Sequence, residues 1–130
     1  MRKTLLLAAA SVFALTAAAQ AEVKMGVILG FTGPIESLTP NMASGAELAM
    51  AEVNAAGGIL DGMTVASVRA DSTCIDSQAA QAAAERLITA DGVAGIVGAD
   101  CSGVTTSILS NVALPNGMVM ISPSATSPAL

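Results

Sequence analysis

Apolar and polar positions along this chain follow two rhythms. Val23 to Leu29 is mostly apolar without a helical period, which predicts a first strand. Gly30-Phe31-Thr32-Gly33-Pro34 breaks it into a loop. Met42, Ala46, Ala49, Met50 and Val53 then recur at helical spacing, with Glu47 and Glu52 off the stripe, and predict a first helix. Gly57-Gly58 ends it, because glycine takes the left-handed C-terminal position without penalty. Met63 to Ala70 reads as a second strand, and the alternation of Val65, Ser67 and Arg69 with Ala66, Val68 and Ala70 marks it as an outer strand with one wetter face. Asp76 or Ser77 caps a second helix whose stripe is Ala80, Ala83, Ala84, Leu87 and Ile88. Val93 to Val97, short and wholly apolar, reads as a central third strand. Cys101 or Ser102 opens a third helix that buries Val104, Ile108, Leu109 and Val112. After the turn at Pro115-Asn116-Gly117, Met118 to Ile121 reads as a fourth strand with a buried pattern, which in residues 22–130 alone forms an exposed hydrophobic edge.

The order βαβαβαβ, with short connections, predicts an α/β fold: a three-layer, Rossmann-like parallel sheet. In open sheets of this kind ligands bind beyond the carboxyl ends of the strands. Three loops fall there, Gly30 to Asn41, Gly98 to Ser102 and Ser122 to Leu130, each rich in Gly, Ser, Thr or Pro. In the middle loop a helix start presents free N–H groups that suit an anion, and Ser102 adds a hydroxyl. On local sequence alone Ser102 reads first as a helix cap worth about 1 kcal/mol, and the two roles are compatible. Ser124 and Thr126 follow the fourth strand, where hydroxyls and backbone groups donate to a carboxylate and accept from an ammonium, or simply form a polar turn. Leu38, in the first loop, either lines an apolar pocket or packs on a neighbour. Asp71 and Asp76, flanking Cys74, read as solvated loop carboxylates.

The N-terminus stands apart from this pattern. Arg2 and Lys3, the apolar run Leu5 to Ala18, and Ala19-Gln20-Ala21 form the pattern of a cleaved secretory signal peptide over residues 1–21. Residues 22–130 suit one small domain. They hold three basic residues, Lys24, Arg69 and Arg86, against ten acidic ones. With no basic patch and Phe31 as the only aromatic, nucleic acid is excluded as a partner. Cys74 and Cys101 are the only cysteines, and an even pair in an exported chain reads as a disulfide worth about 3.5 kcal/mol. Two buried free thiols are the alternative. Without histidine, a Cys/His zinc site is absent, and no cofactor is expected. A GxSxG elbow, a GxxxxGK phosphate loop and a GxGxxG turn are also missing, so the expectation is a protein that is not an enzyme.

Five ordered blocks, "GFTGPIESL", "GAELAMAEVNAAGGI", "DSTCIDSQAAQAAAERLI", "GVAGIVGADCSG" and "ISPSATSPAL", resemble the periplasmic substrate-binding proteins of branched-chain amino acid ABC transporters, the type I Leu/Ile/Val-binding family. The resemblance covers essentially all of residues 23–130. It implies two α/β lobes that close on a ligand like a hinge, with residues 22–130 forming the N-terminal part of lobe 1. It implies that Ser102 holds the ligand's α-carboxylate, that Ser124 supplies a backbone carbonyl to the ammonium, and that Thr126 contacts the head group. A family disulfide matches Cys74 and Cys101, and Leu38 falls where some members contact the ligand side chain. The acidic residue that completes the ammonium site belongs to the other lobe. The implied function is capture of a branched-chain or related amino acid, or a similar amide or carboxylate, in the periplasm and delivery to an ABC permease in the inner membrane. The rival readings are a fragment of a secreted Rossmann-like enzyme and a non-functional truncated remnant.

Overall fold

A computed structural model describes residues 21–130. The leader expected over residues 1–21 therefore lies, apart from Ala21, outside the described residues. The elements are β1 (Glu22–Leu29), α1 (Thr39–Ala55), β2 (Thr64–Asp71), α2 (Ser77–Thr89), β3 (Gly95–Gly98), α3 (Ser102–Ile108) with a π-helical turn (Leu109–Ala113), and β4 (Met120–Ile121). The strand order is β2-β1-β3-β4 and every pairing is parallel. This is the expected α/β sheet, with β1 and β3 central and β2 outermost.

Successive residues of a strand face opposite sides, so β1 feeds two cores. Ile28 and Ile96 point to the side where α2 and α3 lie, and pack with Ala84, Leu87, Val104 and Ile108. Gly26 matters to that side: a Cβ there would stand 2.9 Å from Leu87 Cδ1, so the missing side chain lets Leu87 sink fully against the sheet. Val27 and Leu29 point to the other side, where α1 supplies Ala43, Met42, Ala46 and Met50. There α1 leaves part of the sheet uncovered. A groove of 420 Å³ runs between it and the strands, lined by Met25, Ala49, Met50, Val53, Val65 and Val97 among others.

The two sheet edges differ. Asn54, near the end of α1, accepts from Val65 N–H at 2.7 Å and donates to its carbonyl at 2.8 Å. The amide thus stands in for a neighbouring strand and blunts the β2 edge. The other edge corrects the reading of a buried strand and agrees with that of an exposed hydrophobic edge. The fourth strand is not buried: β4 keeps only two ladder residues, and Val119 and Ile121 are 68% and 70% exposed. An apolar run marks a strand, but it does not show whether a further layer lies beyond that strand. The third helix also departs from its expected course, since it widens into the π-helical turn at Leu109, which is only partly buried.

Candidate functional site: the carboxyl-end rim

All four strands point their carboxyl ends the same way, so the loops after them gather on one rim. The loop after β3 is its centre. Gly98 has φ of +135°, a conformation that only glycine adopts easily, and a Cβ there would collide with the Ile28 carbonyl. The chain turns sharply at that point and delivers Asp100, Cys101 and Ser102 to the rim. Asp100 is 3% exposed. Its Oδ2 accepts from Gly30 N–H at 2.9 Å, and its Oδ1 accepts from Cys101 N–H at 3.0 Å and from the Ser72 hydroxyl at 3.3 Å. Cys101 and Cys74 form a disulfide with a Cα–Cα distance of 5.2 Å, which settles the choice between bond and free thiols.

Ser102 is not a helix cap. Cys101 occupies the cap position of α3, with no side-chain bond into the helix. The Ser102 Oγ turns instead toward the loop after β4, where it accepts from Thr126 N–H and Ser127 N–H, both at 3.2 Å. Ser124 lies on the same loop, and its hydroxyl donates to the Asp100 carbonyl at 2.8 Å. Ser122 donates to the Ala99 carbonyl and accepts from Ala125 N–H at 2.8 Å. The structure therefore brings Ser102, Ser124 and Thr126 together, as the neighbouring strands β3 and β4 require. Leu38 sits just before α1, 60% exposed, and none of the described hydrogen bonds joins it to these three. Its tie to the rim is indirect: the next residue, Thr39, donates its hydroxyl to the Gly30 carbonyl at 3.0 Å.

The flanking carboxylates are not simply solvated. Asp76 caps α2, accepting from Gln78 and Ala79 N–H at 2.9 and 3.0 Å. Asp71 accepts from the Thr32 hydroxyl at 2.6 Å and from Thr73 N–H at 2.8 Å. Partial burial opposes the charge on Asp71. Bonds from the Thr32 hydroxyl and the N–H groups of Thr73, Thr32 and Phe31 outweigh it and hold the carboxyl below its ordinary range. Behind this loop, Arg69 forks onto Glu47 with two bonds of 2.7 Å and lies 5.4 Å from the centre of the Phe31 ring. The Arg69 bond lowers the Glu47 carboxyl against the opposing effect of burial, with a further bond from Ser67, and Arg69 is raised in return.

Sequence reasoning overlooked Asp100, Ser72 and Ser122. The available signal was Asp100 itself, an acidic residue wedged between a buried strand and a cysteine. Among the described residues no group of three or more His, Cys, Asp or Glu is placed to hold a metal, and no helix is long and apolar enough to cross a membrane.

An open parallel sheet with its polar loops gathered at one end defines an α/β ligand-binding architecture. The chain belongs to the periplasmic binding protein family, whose family model matches residues 22–130. This is a family of substrate-binding proteins and not of enzymes. The chain is 40% identical over 97 residues to Leu/Ile/Val-binding protein homolog 7 of Brucella melitensis, covering 75% of this chain and 24% of that protein. It is 34% identical over 128 residues to the Leu/Ile/Val-binding protein BraC3 of Rhizobium johnstonii, covering 98% of this chain and 34% of the relative. Among solved structures it is similar to the branched-chain amino acid transporter substrate-binding protein LivJ of Streptococcus pneumoniae in complex with isoleucine. That match has a TM-score of 0.74 and 33% identity, over 82% of this chain and 30% of the other. The chain thus spans a quarter to a third of the length of these relatives, 24%, 34% and 30% in turn.

Proposed function

We propose that residues 22–130 form one wall of an amino acid site, the N-terminal part of lobe 1 of a two-lobed periplasmic receptor. The chain reaches the periplasm through the leader at residues 1–21. The receptor binds a branched-chain or related amino acid and passes it to an ABC permease in the inner membrane. The observation that carries the reading is the Ser102 hydroxyl. A hydroxyl has two lone pairs and one hydrogen. Thr126 and Ser127 N–H occupy both lone pairs, so the hydrogen is left to donate to an acceptor outside the loop. An ionised carboxylate, which only accepts, is the matching partner. The Thr126 hydroxyl stands beside it with no hydrogen bond among the described residues, able to donate as well. None of the described hydrogen bonds uses the Ser124 carbonyl, which suits an ammonium group on the same ligand. Leu38 contributes an apolar contact to the ligand side chain. The similarity to Leu/Ile/Val-binding proteins and to an isoleucine complex supports the ligand class.

One wall leaves most of a small ligand in water, so binding to this chain alone is weak, in the millimolar range that corresponds to about −4 kcal/mol. Titration of the 130-residue chain with L-leucine or L-isoleucine, followed by amide NMR, tests it. The expected result is fast-exchange shifts at Ser102, Thr126 and Ser127, absent with leucine methyl ester, which lacks the carboxylate. Ser102→Ala removes the response. An unchanged spectrum at high millimolar leucine defeats the reading.

A further inference from the structure

We propose that Asp100 is the positioning residue of this rim: one buried carboxylate sets the loops after β1, β2 and β3 in register, and so fixes where Ser102 and the loop after β4 meet the ligand. The ligand part of this statement rests on the function proposed above, whereas the positioning part rests on geometry alone.

The argument starts from the donor count. Three donors converge on two carboxylate oxygens: Gly30 N–H from the loop after β1, the Ser72 hydroxyl from the loop after β2, and Cys101 N–H from the loop after β3. Only an ionised carboxylate offers acceptors on both oxygens and no hydrogen of its own; an amide would turn an NH2 toward at least one of these donors. With 3% of its surface exposed, Asp100 depends on these bonds to offset its removal from water. The same residue reaches the fourth loop through its main chain, where its carbonyl accepts from the Ser124 hydroxyl. Asp100 is therefore bonded to the loops after all four strands, though it touches no ligand position itself.

The neighbourhood is shaped to keep this arrangement. A Cβ at Gly30 would lie 3.2 Å from Cys74 Cβ and 3.4 Å from Asp100 Oδ2, so the β1 loop approaches because position 30 carries no side chain. The disulfide ties the β2 loop to the residue after Asp100. It links only two of the loops, however. Thr32 bonds the first loop to Asp71 at the end of β2, and the Asp100 carboxylate is what bonds that loop directly to the loop after β3, close to the start of α1, since Thr39 hangs from the Gly30 carbonyl.

The test compares Asp100→Ala and Asp100→Asn with the unaltered 130-residue chain, measuring solvent exchange of individual amides and the NMR response to L-leucine. In Asp100→Ala the amides of Gly30, Thr126 and Ser127 are expected to exchange about tenfold faster or more, the effect of one lost net hydrogen bond, while the β1 core amides of Val27 and Ile28 keep their rates. Asp100→Asn retains one acceptor oxygen and restores part of the protection. Should Asp100→Ala not fold, Asp100→Asn decides, since it keeps the shape and changes only the donor balance. Unchanged exchange at Gly30 and at the rim in a folded variant overturns the proposal, whatever leucine does. Faster rim exchange with loss of the leucine response supports both parts. If leucine leaves even the unaltered chain unmoved while the variants loosen the rim, the ligand reading fails and the positioning role stands.

Discussion

On one face of the sheet, α2 and α3 close over Ile28, Leu87, Ile96, Val104 and Ile108 until almost nothing of them meets water. On the other, α1 seals Val27, Leu29 and Ala43 but leaves Met25, Met50, Val53 and Val97 along a groove. Both faces draw on the same strands and on equally apolar residues. What separates them is the number of helices laid across them, two against one. Apolar content is thus a property of the sequence, whereas closure depends on how many elements are present to share it.

This difference can be broken or sharpened by measurement. The largest effect is expected at Leu87→Ala, which opens a cavity in the closed face and should cost about 4 kcal/mol in denaturant unfolding. Replacing both Cys74 and Cys101 by serine should cost about 3.5 kcal/mol, because the bridge restricts the unfolded chain while it anchors the start of α3 on that same face. Calorimetric melting of the oxidised and the double-serine chains checks it.

The next test concerns the loop that leads to α1. Asp71 has its carboxyl lowered on folding, so the stability it adds is fully present above the unfolded value of about 3.9 and disappears as pH falls through the lower folded value. Acid unfolding curves of the unaltered chain and of Asp71→Ala should therefore diverge above pH of about 4 and converge at lower pH. Divergence in the opposite direction would show that burial, and not the Thr32 and Thr73 bonds, governs this group. Removing the cap of α2 with Asp76→Ala should cost about 1 kcal/mol by the same unfolding measurement. The smallest effect is expected at Met50→Ala in the groove, below about 1 kcal/mol, since neighbours there pack on one side only. If Met50→Ala and Leu87→Ala cost the same, the two faces are not different in the way described.

Much of this was legible in the sequence because the signals are local. The helical stripes, the glycine stop after α1 and the alternation in β2 each lie within a few residues, and the parallel α/β order follows from them. The site was legible in outline, since Ser102, Ser124 and Thr126 fall on loops that neighbouring parallel strands bring together. Asp100 was not. Its role depends on Gly30 and Ser72, which reach it across 70 and 28 positions of sequence, and no local pattern reports such a meeting. Ser102 was misread as a possible cap for the same reason, because the groups it serves arrive from 24 and 25 residues further on. The exposure of β4 followed from its place as the last strand and not from its pattern, since an edge strand and a buried one share the same apolar run.

The placement of β1 between β2 and β3 also bears on how the chain acquires its shape. No pair of the described strands is joined by a hairpin, so no part of the described sheet forms from adjacent residues alone. β1 precedes both of its partners in sequence, and the second of them, β3, comes only after β2 and α2. Until β2 arrives β1 is an apolar segment with unpaired backbone on both sides, and until β3 arrives one side stays open. Loops of that length close slowly, and folding rates fall as contacts become more distant in sequence. The chain should thus fold more slowly than a helical bundle of its size, with the arrival of β3 beside β1 as the step that commits it.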